Sequence, residues 1–171
     1  MAVSATRRKK REELVREHMD SENRHEFDAT IATFEHPRYE LIGTGEVYDG
    51  PEEVERYFEE TRRAFPDQRN ELLALHHTDD AVVVEAVVQG THKGPLRNLP
   101  PTGREFELPI LAIFLFDGDK LICERVYFDQ ATVLRQLGVA RDPLSLTGRL
   151  QTLLGHPWTI GRGMVRRVIG R

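Results

Sequence analysis

An α+β fold, with helices packed against one face of a mostly antiparallel sheet, is predicted from the order of the patterns along the chain. Helical periodicity comes first and strand-like runs follow it. The turn sequence Asp117-Gly118-Asp119-Lys120 then joins the last two of those runs as a hairpin.

Residues 7 to 35 read as helical, with Leu14, Met19, Phe27, Ile31 and Phe34 as apolar anchors and a break near Asp20-Ser21-Glu22-Asn23. Pro37 stops this pattern. RYELIGTGEVYDG is strand-like but interrupted by Gly43 and Gly45, which read as bends in a curved sheet rather than as a phosphate loop. PEEVERYFEETRRAF is an amphipathic helix with Pro51 at its start and Val54, Tyr57, Phe58 and Phe65 on its inner side. NELLALHHT and the β-branched DDAVVVEAVVQGTH read as strands, and KGPLRNLPPTGR is too rich in Pro and Gly for regular structure. FELPILAIFLF (106 to 116) and LICERVYFD (121 to 129) complete the hairpin, and the second runs into the helical pattern QATVLRQLG.

The closing strand carries the candidate chemistry. Alternate side chains of a strand share a face, so Arg125, Tyr127 and Asp129 point one way and Glu124, Val126 and Phe128 the other. With a two-residue loop, the even-numbered Phe106, Leu108, Ile110, Ala112 and Phe114 share a face with Arg125, Tyr127 and Asp129; a loop one residue longer reverses the pairing. In the first register an apolar wall meets a few polar groups, which describes a small-molecule pocket, and desolvation there raises a carboxyl pKa towards that of a general acid or base. The alternative is a half-exposed strand whose Arg and Asp face water. Glu124, pointing the other way, is assigned to a subunit contact.

Composition bounds the function. The chain of 171 residues fits one domain, and its single cysteine, Cys123, cannot form an internal disulfide, which favours a reducing compartment. With no secretory apolar segment and no run of membrane-spanning length, a cytoplasmic location is expected. Residues 1 to 11 and 143 to 171 carry basic residues and no acid, leaving 14 of the 24 Lys and Arg against all 28 acids in between. Such an acidic centre, without stacking aromatics beside the basic runs, argues against a nucleic-acid partner. The seven histidines show no metal-ligand spacing and Cys123 has no companion, so no metal site is expected.

The series FEHPRYELIGTGEVYDGPEEVERYF, VVQGTHKGPLRNLPPTGREF and FDGDKLICERVYFDQATVLRQLG resembles the SnoaL-like polyketide cyclase (ester cyclase) family of the nuclear-transport-factor-2-like superfamily. The resemblance covers residues 14 to 139, and the GTHKG loop, the PPTGR turn and the acid before LRQLG carry most of it. It implies a cone-shaped α+β barrel around an apolar cavity, a homodimer, and an intramolecular aldol ring closure that uses no cofactor. It also implies that Asp129, at the end of the last strand, is the general acid and base. Tyr127 is then a hydrogen-bond donor and Arg125 a holder of an acidic or ketonic group, against a tyrosine of the core and a structural ion pair.

Two departures from the family pattern are visible. Characterised cyclases carry a histidine on the strand before the acid, where this chain reads ILAIFLF. His92 in GTHKG and His36 in EHPRY are the candidate replacements, each with a structural alternative in which the ring caps a turn. Steroid isomerases of the superfamily keep their base on the strand that here reads YELIG, which offers only Glu40.

The predicted organisation is a basic tail over residues 1 to 13, a domain over 14 to 139 and a basic amphipathic extension over 140 to 171. Leu144, Leu146, Leu150, Leu153 and Leu154 of the extension have near-helical spacing, and packing on a dimer is favoured over a membrane surface. Two functions are carried forward. One is a cofactor-independent cyclase or isomerase acting on a small hydrophobic carbonyl compound; the other is a non-catalytic binding module of the same fold, with dehydration or epoxide hydrolysis as further chemistries for the cavity. A depressed Asp129 with a tight Arg125 ion pair favours the module, and a raised Asp129 beside an open cavity favours the enzyme.

Overall fold

A computed structural model describes residues 4–162, and the parts of the two basic ends beyond these limits lie outside the described residues. The elements are α1 (Ala5–Asn23), α2 (Phe27–Ile31), β1 (Arg38–Leu41), β2 (Glu46–Asp49), α3 (Pro51–Ala64), β3 (Arg69–His77), β4 (Ala81–Thr91), β5 (Glu105–Asp117), β6 (Lys120–Tyr127), α4 (Gln130–Gln136) and α5 (Leu146–Gly155). The α+β prediction holds, with helices preceding most of the sheet.

The sheet has six strands in the order β2-β1-β6-β5-β4-β3. Among the described strands only the β1–β6 pair is parallel; the long hairpins β3–β4, β4–β5 and β5–β6 are antiparallel. Register shifts in β3 after Leu72 and in the β5–β6 hairpin after Leu115 add local twist, and the curved sheet stays open rather than closing into a barrel. Its inner face packs on α1 and α3 through Val15, Met19, Val54, Phe58, Val82, Val84 and Phe114, all buried. Burial of side chains this size stabilises by roughly 1.5–3 kcal/mol each.

The helices start and stop for local reasons. Ser4 caps α1 by accepting from Arg7 N at 3.3 Å. Pro51 opens α3, whose first turn carries Glu52 and Glu53 and whose last turn carries Arg62 and Arg63, the arrangement the helix dipole favours. The break predicted near Asp20-Ser21-Glu22-Asn23 comes later: those residues are the last turn of α1, and the chain turns at Arg24–Glu26, where His25 adopts a left-handed φ of 62°.

The basic N-terminal run is helix, not tail. Residues 5 to 13 are the first turns of α1, and Arg11 is buried with its guanidinium donating to Gly118 O and Asp79 O. Arg7 pairs with Asp119 at 2.8 Å. The positive charge is thus used to dock α1 onto two turns of the sheet. At the other end α5 is helical as predicted, but Leu144, Leu146 and Leu154 are 78%, 84% and 75% exposed. Among the described residues, no helix is long and apolar enough to cross a membrane.

The β5–β6 hairpin decides where the chemistry lies. Its loop is the predicted one, with Asp117 opposite Lys120 and Phe116 opposite Leu121. Ile122 is then an extra residue, because Leu115 pairs with Cys123, Phe114 with Glu124, Ala112 with Val126 and Leu111 with Tyr127. This bulge exchanges the two faces of β6. The expected alignment of Arg125, Tyr127 and Asp129 with Phe106, Leu108, Ile110 and Phe114 is therefore overturned. Glu124, Val126 and Phe128 take that face instead.

Candidate active site

Between the inner face of the sheet and α1, α3 and α4 lies a cavity of about 600 Å³. Leu108, Ile110, Val126 and Phe128 from the sheet, Phe65 after α3 and Leu96 and Leu99 from the loop before β5 supply apolar walls. Gly94 sets that loop: a Cβ there would stand 1.9 Å from Arg63 O, so only glycine lets the GTHKG segment lie against the end of α3. Polar groups cluster where Glu22 from α1, Tyr39 from β1, Tyr57 from α3 and Glu124 from β6 converge on the lining.

This cluster is dry. Glu22 and Glu124 are 8% and 6% exposed, Tyr39 is 2% exposed, and His18 behind them is fully enclosed. His18 Nδ1 lies 2.8 Å from Thr33 Oγ1, and that hydroxyl donates to Thr30 O at 2.6 Å, so it accepts from Nδ1–H. The other ring nitrogen, Nε2, lies 2.7 Å from the Tyr39 hydroxyl. Glu124 Oε2 approaches the same nitrogen to 3.1 Å, yet is a buried atom with no aligned hydrogen bond among the described residues.

Burial, and then the charge of Glu124, pushes the Glu22 carboxyl upward. The same two causes raise the Tyr39 phenol well above its usual range, while burial followed by the charge of Glu22 raises Tyr57. Arg62 is shifted down by its own burial; it donates to Gln68 O at 2.5 Å and Glu22 O at 2.8 Å. A mostly apolar chamber thus ends in two carboxylates and two neutral phenols. That arrangement suits moving a proton to and from a carbon acid.

The residues singled out in the sequence are dispersed. Phe106, Leu108 and Ile110 line the cavity, whereas Phe114 is a core residue 1% exposed that packs edge-on against His18. Arg125 lies on the outer face and donates to Glu40 Oε2 at 2.6 Å, and Tyr127 is 40% exposed beside it. Asp129 caps α4, accepting from Ala131 N at 2.9 Å and Thr132 Oγ1 at 2.5 Å; these hydrogen bonds, the Thr132 hydroxyl first, hold its carboxyl below the ordinary range. It borders a shallow outer groove with Ile42, Leu111 and Tyr127.

Neither candidate histidine lines the cavity. His36 is exposed and bonded to Asp49 Oδ1 at 2.6 Å. His92 is buried behind Phe65, its Nδ1 accepting from Thr102 N at 3.2 Å, so it closes the loop before β5; burial lowers its pKa. The histidine that does stand beside a cavity carboxylate is His18. It and Glu22 went unread because they interrupt the apolar stripe of α1, where Arg11, Val15, His18, Met19 and Glu22 are all buried. Their spacing of three and four was the available signal.

Comparison with known proteins places this architecture. The family model of SnoaL-like polyketide cyclases matches residues 12–137. No curated protein matches the chain. Among solved structures, a phenazine biosynthesis-related protein of Pseudomonas aeruginosa is similar at 21% identity, with a TM-score of 0.71, over 86% of this chain and 93% of its own. A protein of Jannaschia sp. CCS1 assigned as a SnoaL-like polyketide cyclase gives 20% identity and a TM-score of 0.70, over 78% of this chain and 94% of its own. An NTF2-like protein of Burkholderia pseudomallei gives 17% identity and a TM-score of 0.65, covering 75% and 97%. At these identities the structures establish the fold, and the family match over residues 12–137 establishes the lineage: the chain belongs to the SnoaL-like polyketide cyclase family, on an NTF2-like fold.

Proposed function

We propose that this chain is an acid/base enzyme of the cyclase or isomerase type, acting without a cofactor on a small, hydrophobic, carbonyl-containing molecule of the polyketide kind. The observation that carries the reading is Glu124, a desolvated carboxylate on the wall of a mostly apolar cavity with one oxygen lacking a hydrogen bond. The acid/base role expected of Asp129 passes to Glu124, because Asp129 is bound into the cap of α4 and faces away from the cavity.

The chemistry follows from the positions. A carbonyl compound held against the Leu108, Ile110 and Val126 wall loses a proton from the carbon beside its carbonyl to Glu124, and the electron pair becomes an enolate. The Tyr57 hydroxyl, on the cavity lining, is a donor for the enolate oxygen. In a cyclisation the enolate carbon then attacks a second carbonyl of the same molecule; in an isomerisation Glu124 returns the proton to another carbon. His18 is a positioning residue, fixed by Thr33 and holding the Tyr39 hydroxyl beside Glu124. The proposal includes a cytoplasmic homodimer formed on the outer face of the sheet, where Leu111 and Tyr127 are 38% and 40% exposed.

A second reading, the non-catalytic binding module, draws support from the depressed Asp129 and the Arg125–Glu40 pair. Native mass spectrometry for binding, with chromatography of the released compound for conversion to an isomer, over a panel of polyketide-like carbonyl compounds separates the two. The enzyme reading expects wild type to convert a bound compound and Glu124→Gln to bind it unchanged. Binding by both proteins with conversion by neither replaces it with the module.

A further inference from the structure

We propose that the cavity has a second polar end, built on Gln68 and Arg63, that takes a carboxylate, so that its substrate is an aromatic keto acid with the ketone at Glu124 and the acid group at the opposite end. The inference rests on the function proposed above and narrows its substrate class.

Gln68 is the unusual residue. It lies between α3 and β3, is 8% exposed and lines the cavity. Both of its main-chain groups are used: its N–H donates to Phe65 O at 3.0 Å, and its carbonyl accepts from Arg62 Nη1 at 2.5 Å. Its carboxamide makes no hydrogen bond among the described residues. Such a group is costly to bury unpaired, and the partner it lacks is one that the occupant of the cavity supplies.

The surroundings hold Gln68 in place and leave room for that partner. Alternate residues of β3 share a face, so Asn70 follows Gln68 on the same wall. Asn23 of α1 fixes the start of this strand by accepting from Asn70 N at 2.7 Å and donating to Asn70 O at 2.9 Å. On the neighbouring strand stands Gly90, where a Cβ would lie 3.2 Å from Gln68 Cα and 3.3 Å from the Phe106 ring. Phe65 and Phe106, with ring centroids 4.8 Å apart, give this end of the lining its flat apolar walls.

Charge decides the ligand. Of the two arginines on the lining, Arg97 is paired with Glu46, whereas Arg63 has no carboxylate partner among the described residues. Glu46 and Glu60, the acids of the cavity mouth, lie with Arg97 on the side of Tyr48. Asp67, in the same turn as Gln68, is taken by Lys93 at 2.9 Å and by the N–H and hydroxyl of Thr91. Arg63 flanks that turn from the end of α3, where Gly94 lies against its carbonyl. A guanidinium and a carboxamide on either side of one turn, both without partners, present N–H donors that a single carboxylate accepts together.

The register of the sheet sets the shape of the molecule. Gln68 is beside Gly90, which pairs with Phe106 at the start of β5, whereas Glu124 pairs with Phe114 near the other end of that strand. Ketone and carboxylate therefore belong to opposite ends of one elongated, flat molecule.

Isothermal titration of aryl methyl ketones of one, two and three linked rings, each with and without a carboxylate on the far ring, tests the assignment. The expected result is that at least one keto acid binds wild type roughly tenfold or more tightly than its parent ketone, the value of one charge-assisted hydrogen bond. The same ratio is expected to collapse in Gln68→Leu and in Arg63→Met. Equal or weaker binding of every keto acid, or a ratio that either variant retains, overturns the proposal. Should Gln68→Leu not fold, Arg63→Met, a change at an exposed position, decides together with wild type. The readout is binding and needs no turnover. A keto acid that binds with the expected ratio yet shows no proton exchange dependent on Glu124 sinks the proposed function, whereas exchange on a plain ketone without any preference for the acid sinks this site alone.

Discussion

The imidazole of His18 lies 3.1 Å from the carboxylate of Glu124 and 2.7 Å from the hydroxyl of Tyr39, so one ring from α1 holds residues of two neighbouring parallel strands. It also packs edge-on against Phe34 and Phe114, at ring separations of 5.3 Å each. Replacing His18 by Ala leaves a void in that packing and strips the Tyr39 hydroxyl of its partner. The expected loss is about 3 kcal/mol, from the cavity and the unmade hydrogen bond together. Urea denaturation measures it, and a loss below about 1 kcal/mol contradicts the described packing.

The pH dependence of stability has a definite sign at Glu22. Its folded-state pKa is raised, so between the unfolded and folded values the native state holds a proton that the unfolded state has released. The contribution of Glu22 is fully present below the ordinary glutamate range and declines as pH rises through its folded pKa. Glu22→Gln escapes that decline. The variant is expected to be more stable than wild type near neutral pH, with the difference shrinking under acid conditions; denaturant titrations at several pH values check this, and a constant difference speaks against it.

Asp129 is expected to matter for folding rather than turnover. Its carboxylate accepts from Ala131 N and Thr132 Oγ1 at the start of α4. Asp129→Ala should lower the melting temperature and leave the rate on any converted compound essentially unchanged. A large loss of rate with unaltered melting would return the base role to Asp129.

Gly94→Ala is expected to be strongly destabilising, because its Cβ meets Arg63 O at 1.9 Å and main chain has to move. Loss of the close approach between the GTHKG loop and α3 opens the wall carrying Leu96 and Leu99, so ligand affinity falls along with stability. Calorimetry and ligand titration on the same sample test both parts.

Most of the fold was legible because it is written in periodicity and punctuation. Pro51 marks the start of α3, and Asp117 to Lys120 mark the last hairpin. The site was harder to read for two physical reasons. A single bulge at Ile122, which no residue pattern announces, exchanges the faces of β6 and moves Glu124 from an assigned subunit contact into the cavity. On α1, buried polar residues occupy positions that an apolar count passes over, so His18 and Glu22 are found only once packing shows that Tyr39, Glu124 and Arg62 surround them. Phe106, Leu108 and Ile110 were correctly gathered on one wall, since alternation within β5 is undisturbed there.

The central claim is that Glu124, from inside the cavity, moves the proton. Its most direct measurement is the exchange of solvent deuterium into the carbon beside the carbonyl of a bound hydrophobic ketone, followed by NMR in wild type, Glu124→Gln and Asp129→Asn. Exchange in wild type and Asp129→Asn, with a loss of about 10²-fold or more in Glu124→Gln, is the predicted result. Exchange that survives in Glu124→Gln and disappears in Asp129→Asn contradicts it.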